Sequence, residues 1–138
     1  MIAEMVGAAE PWLSGQDLKV EPHLRAVMRA YLHHGPFLRA TADAQVGPLS
    51  AASERYRAMM AMWDEAVAER LAISYPWLPE PRLSSHALNA AGERIMYYDL
   101  GGGVEDVGEE QFERAVGMLY GLWCDVLGIR RGSEECVR

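Results

Sequence analysis

Apolar residues recur along this chain at steps of three and four, the rhythm of helices buried on one side. From Met1 to Ser14 the stripe is Ile2, Met5, Val6, Ala9 and Leu13, and Ser14-Gly15 supplies a stop. A second stripe, Leu24, Val27, Met28, Tyr31 and Leu32, predicts a helix from about Pro22, a favourable first-turn proline, to His33 or His34. Gly35-Pro36 breaks it, and a short helix is expected from Pro36 to about Ala44. Gly47-Pro48 opens the longest element, reaching about Ile73. Leu49, Ala52, Tyr56, Met59, Met60, Trp63, Val67 and Leu71 form its broad apolar face, and Glu54, Arg55, Asp64, Glu65 and Glu69 its wet side. Tyr75 to Pro81 holds Pro76, Pro79 and Pro81 and reads as a linker whose Trp77 packs back on the bundle. Two more helices follow, Ser84 to Tyr98 and Glu109 to Gly128, joined by a flexible loop carrying Gly101-Gly102-Gly103. No run alternates with β-branched enrichment, and no hairpin turn or internal repeat interrupts the pattern. The expected fold is all-α: one antiparallel helical bundle over residues 1–138.

The last helix carries two apolar faces. Phe112, Ala115, Val116, Leu119, Leu122, Trp123 and Val126 form the expected core stripe, while Gly117, Gly121, Cys124 and Gly128 line another side. Each interior glycine costs a helix about 0.8–1 kcal/mol relative to alanine, which makes sense where a second backbone approaches closely. The preceding helix has small residues too, at Ala87, Ala90, Ala91 and Gly92. Such faces suit a two-fold, four-helix interface between copies of the chain; they equally suit tight packing inside one monomer.

Composition narrows the classes. Half of the 138 residues are hydrophobic and 24% are charged, a globular balance, and the net charge is −7. Lys19 is the only lysine, and no basic face offers itself to a phosphate backbone, so the chain is not expected to bind nucleic acid by itself. No apolar run reaches the roughly 18–20 residues of a membrane span, and the N-terminus lacks the pattern of a signal peptide, so a cytoplasmic protein is expected. Cys124 and Cys136 suggest neither a disulfide framework nor a metal set.

Candidate chemistry is sparse. The triple glycine follows a helix rather than a strand and is trailed by Glu105 and Asp106, so it makes a poor phosphate loop. His33 and His34 are neighbours about 100° apart on a helix, which suits a role at the helix end better than joint metal ligation. His86, just past a plausible Ser84 N-cap, is expected to be exposed. No nucleophile triad, cofactor motif or metal site is legible. Asn89 sits mid-helix on a face continued by Glu93 and Met96. It reads either as a polar anchor for a ligand or as an interhelical hydrogen bond. Tyr56, Met59, Met60 and Trp63, with Met28 and Tyr31, read either as core or as the soft, aromatic lining of a cavity between helices.

The element Ala87-Leu88-Asn89, followed by Glu93-Arg94 and an apolar-aromatic finish, resembles the eighth helix of TetR-family transcriptional repressors, and Glu109 to Gly128 resembles the ninth. The order of the earlier helices is similar to the fourth through seventh, so the resemblance spans nearly the whole chain. It implies the regulatory half of a repressor: a homodimer formed through the last two helices at Ala87, Ala91, Gly117, Gly121, Cys124 and Gly128, and a small hydrophobic effector in an apolar pocket. DNA contact would belong to an N-terminal helix-turn-helix domain that these residues do not contain. In the subgroup typified by the mycobacterial ethionamide-resistance repressor, the pocket is a tunnel with aromatic walls, closed by asparagines. Carried over, its lining falls on Tyr56, Met60, Trp63, Asn89 and Glu93, with Gly92 where that subgroup has a second asparagine, and Met28 and Tyr31 of the aromatic cluster complete the candidate ligand-binding set. The resemblance implies a sensor rather than an enzyme, with no cofactor. The rivals are a helical enzyme using Glu93 with a histidine, and an interaction module with a solid core.

Overall fold

In a computed structural model, which describes residues 1–44 and 51–137, the chain is all-helical. Its helices are α1 (Ile2–Leu13), α2 (Val20–His33), α3 (Gly35–Ala44), α4 (Ala51–Ser74), α5 (Pro81–Ile95) and α6 (Glu109–Leu127), and a π-helical turn at Met96–Leu100 continues α5. The expected opening of the long helix at Gly47-Pro48, its stripe residue Leu49 and the side chain of Ala52 lie outside the described residues. No strand occurs among the described residues; the one β-bridge pairs Ile129 with Cys136 in the C-terminal tail.

α2 lies between two other helices and buries a broad face. Val20, His23, Leu24, Val27, Met28, Tyr31 and Leu32 are all buried, and the helix packs against α1 on one side and α6 on the other. α4 pairs chiefly with α5. The helices share one core that includes Trp12, Met28, Leu71, Phe112 and Trp123, each at most 2% exposed.

Helix α2 begins two residues before Pro22. The Glu134 carboxylate, carried back by the tail, accepts hydrogen bonds from the N–H groups of Val20 (2.7 Å) and Glu21 (3.5 Å). An anionic acceptor at a helix N-terminus satisfies donors that have no partner within the helix. Trp77 packs back as its place in the linker suggests, its indole N–H donating to the Leu127 carbonyl at 2.8 Å.

Several expectations are corrected. Helix α5 starts at Pro81, in the favoured first position, so Ser84 is not its cap; the Ser84 N–H already bonds the Glu80 carbonyl at 3.0 Å. The glycine run is a packed corner rather than a free loop. Gly101 and Gly103 are buried, and a Cβ on Gly35 would stand 2.6 Å from the Leu100 carbonyl oxygen. His33 and His34 turn to a side chain, not to terminal carbonyls: both rings face the Glu4 carboxylate of α1. On α6 the inward stripe runs through Leu119, Trp123, Cys124 and Leu127, which leaves Leu122 and Val126 on the outside with Met118.

The small-residue face of α6 is largely covered by its own chain. Gly121 is buried beneath Arg131, whose guanidinium nitrogen lies 1.5 Å from where a Cβ would be, so the close approach there is intramolecular. Cys124 is 2% exposed and belongs to the core. Gly128 ends the helix at φ 66°, a left-handed cap that glycine adopts without strain. Neither Gly121, Cys124 nor Gly128 therefore offers an open surface to a second copy. Gly117 has nothing within 4 Å of its Cβ position, and Ala87 is exposed and Ala91 half-buried on α5.

Candidate functional site

A cavity of about 420 Å³ runs between α1, α2, α4 and α5, with α3 and α6 closing its sides. Its volume falls within the roughly 300–1,000 Å³ of small-molecule sites. Met28 and Tyr31 reach it from α2, Tyr56, Met60 and Trp63 from α4, and Asn89 and Glu93 from α5. All seven residues singled out from the sequence thus meet on one wall system. Met59, Met60 and Trp63 are half-buried and border the cavity, and Trp63 also packs against the core.

The mouth is marked by lining residues that are also on the surface. Ile2 and Val6 of α1 and Phe37 of α3 are 55%, 47% and 60% exposed and still border the cavity. The first helix, whose stripe of Ile2, Met5 and Val6 is expected from the sequence to be buried, is in part a rim.

Polar groups on the wall are few. The Tyr56 hydroxyl donates to the Glu93 carboxylate. Burial first, and then this bond, push the Tyr56 phenol well above its ordinary range. Burial together with the Glu93 charge raises Tyr31 to about 12. Both phenols are neutral hydrogen-bonding groups at physiological pH. The Tyr97 hydroxyl donates to Asp43, and the Arg39 guanidinium lies 4.7 Å from the centre of its ring.

Asn89 lines the cavity, yet both of its N–H donors are used within the protein. They go to Asp64 Oδ1 at 2.8 Å and Ser85 Oγ at 3.3 Å. Asp64 also faces His86 Nδ1 at 2.8 Å, and its backbone carbonyl accepts from the Ser85 hydroxyl at 2.6 Å. Asp64, assigned to the wet side of its helix, instead ties α4 to α5. The interhelical reading of Asn89 is the one its bonds show: its nitrogen holds the helices together, and its carbonyl oxygen is not used in these bonds.

No protein-family model, curated protein or solved structure matches this chain. Its function is therefore read from the cavity and the faces around it. The wall also holds His23 and Tyr97, which hydrophobic spacing did not flag, and Trp123, which it placed in the core stripe of the last helix rather than on a cavity. His23 was discoverable: it lies three residues after Val20 and four before Val27, on the buried face of α2. Among the described residues no cluster of His, Cys, Asp or Glu is suited to hold a metal ion, both cysteines are free, and no helix is long and apolar enough to cross a membrane.

Proposed function

We propose that this chain is the effector-binding and dimerisation body of a TetR-like transcriptional regulator, sensing a small hydrophobic molecule. The observation that carries the reading is the apolar, aromatic-walled cavity of about 420 Å³ between the helices. A solid-core interaction module has no use for such a void, because each buried space forfeits packing contacts. A helical enzyme built on Glu93 and a histidine has less support, since the bonded partner of Glu93 is the Tyr56 hydroxyl. On this reading DNA contact belongs to a helix-turn-helix outside these 138 residues, consistent with a net charge of −7. Effector binding acts by population shift: α1 borders the mouth, and a ligand that fits one position of α1 better than another biases the two states by that difference in affinity.

Ligand binding at this site raises the melting temperature by mass action, equivalent to about 2.7 kcal/mol at a concentration one hundred times Kd. Trp63→Ala is expected to weaken binding roughly tenfold by removing an apolar wall. Thermal-shift titration checks this, and a Trp63→Ala protein that responds like the wild type contradicts it.

The dimer half of the proposal rests on the outward stripes of α5 and α6. Leu83 is 60% exposed and Met118 63%, and Ala87, Leu122 and Val126 are exposed beside them. Apolar stripes on two adjacent helices are what a four-helix interface between copies covers. Light scattering is expected to give twice the chain mass for the wild type and the single-chain mass for Leu122→Glu. A wild type that remains a monomer at tens of micromolar (about 50 μM, well above typical dimer Kd values) removes this half of the reading.

A further inference from the structure

Three ring nitrogens at the junction of α1, α2 and α6 are buried without a hydrogen-bond partner among the described residues: Trp12 Nε1, His23 Nδ1 and Trp123 Nε1. Their rings form one cluster. His23 stacks on Trp12 with centroids 4.5 Å apart, Trp123 meets Trp12 edge-on at 5.7 Å, and His23 and Trp123 are 6.0 Å apart. His23 is 5% exposed and Trp123 2%, and both line the cavity.

Buried polar atoms are as a rule hydrogen-bonded, and a buried indole N–H usually finds an acceptor. Packing alone would be served by phenylalanine or leucine at these places. An indole nitrogen can only donate, so what the cluster lacks is an acceptor. Among the other donors on the wall, Asn89 is committed to Asp64 and Ser85, Tyr56 to Glu93 and Tyr97 to Asp43.

We propose that His23 and Trp123, backed by Trp12, form the polar subsite of the cavity, and that its ligand is a neutral, mainly apolar molecule presenting a carbonyl-type oxygen to them. The inference rests on the cavity being a ligand site and goes further by naming which end reads the polar group and what that group is. The imidazole is uncharged at neutral pH, because burial lowers it to about 4. A ligand carboxylate would therefore stand unpaired there, a costly arrangement in an apolar site. The charged side chains on the wall are Glu93 and the exposed Arg55. The two indole nitrogens, which can only donate, give an ammonium group no lone pair.

The test uses the neutral fluorescent probe N-phenyl-1-naphthylamine to report occupancy, displaced by pentylbenzene or by valerophenone. The two competitors share a carbon skeleton and differ by the carbonyl oxygen. The preference for the ketone, taken as the ratio of the two dissociation constants, is expected to fall about tenfold in both His23→Phe and Trp123→Phe. Pentylbenzene itself should change by no more than about threefold, since each substitution keeps an aromatic ring in place. Melting curves establish that each variant is folded, and either variant alone suffices for the comparison. A ratio unmoved in both variants while the probe still binds overturns the subsite and leaves the cavity reading standing; a trapped water on the cluster would give this result. A ratio that falls only in Asn89→Leu assigns the polar group to the other wall and also overturns it. A wild type that takes up no probe overturns the cavity reading and the subsite with it.

Discussion

Phe112→Ala is expected to lower the unfolding free energy by about 3–5 kcal/mol in a urea titration, the range for truncating a buried aromatic ring. Phe112 sits in the first turn of α6, is 0% exposed, and has the Arg29 guanidinium 3.6 Å from its ring centre. Removing the ring takes away the transfer free energy of its buried surface and the cation–π contact, and leaves a hole at the seam of α2 and α6. The ion pairs over that seam, Arg25 with Glu113 and Arg29 with Glu109, are partly exposed and compensate little. Phe112 does not line the cavity, so the loss owes nothing to ligand binding. Leu18→Ala is the contrasting case. Leu18 is 71% exposed, and its truncation should move stability by no more than about 0.5 kcal/mol. Equal effects from the two substitutions would mean that the α2–α6 seam is not the core.

The second large effect is a loss of stability in mild acid caused by His23. Burial holds its imidazole down at about 4 against an ordinary 6.5, and the Asp17 carboxylate opposes this only in part. Above pH 6.5 the ring is neutral in both folded and unfolded chains. As the pH falls from 6.5 towards 4, the unfolded chain takes up a proton that the folded chain refuses, so stability drops through that interval. Each pH unit removes about 1.4 kcal/mol, or about 3 kcal/mol across the interval. Glu4, Glu109 and Glu113 act in a different window. Their imidazole and guanidinium partners hold these carboxyls below the usual range, so their stabilisation is lost only as the pH falls below 4.5. His23→Phe should flatten the stability curve between pH 6.5 and 4.5 and leave the steeper fall below it. Parallel curves for the two proteins would show that His23 is hydrated in the native state.

The helices and most of the cavity wall were legible in the sequence because both depend on spacing. A three- and four-residue rhythm places Tyr56, Met60 and Trp63 on one face of α4 and Asn89 and Glu93 on one face of α5, whichever partners they meet. Spacing says less about what covers a face. Gly117, Gly121, Cys124 and Gly128 follow helical steps, but Arg131 covers Gly121 and the tail returns to cap α2 through Glu134, and no local pattern in a polar C-terminus announces either contact. Asp64 was misread for a related reason: a carboxylate on a helix flank looks solvated until Asn89 and His86 are brought against it. His23 escaped because a single histidine adds nothing to a hydrophobic stripe even when it occupies a buried position on it.

The central claim is that the void between α1, α2, α4 and α5 is a binding site for a small apolar molecule. Fluorescence titration with N-phenyl-1-naphthylamine tests it most directly when the wild type is compared with Ala42→Trp, which places an indole where a buried methyl group now borders the cavity. The account predicts saturable binding of one probe per chain with a Kd of roughly 1–10 μM for the wild type, and a loss of at least about tenfold in the filled variant, whose melting transition remains cooperative. No saturable binding by the wild type, or equal binding by a folded Ala42→Trp protein, would contradict it.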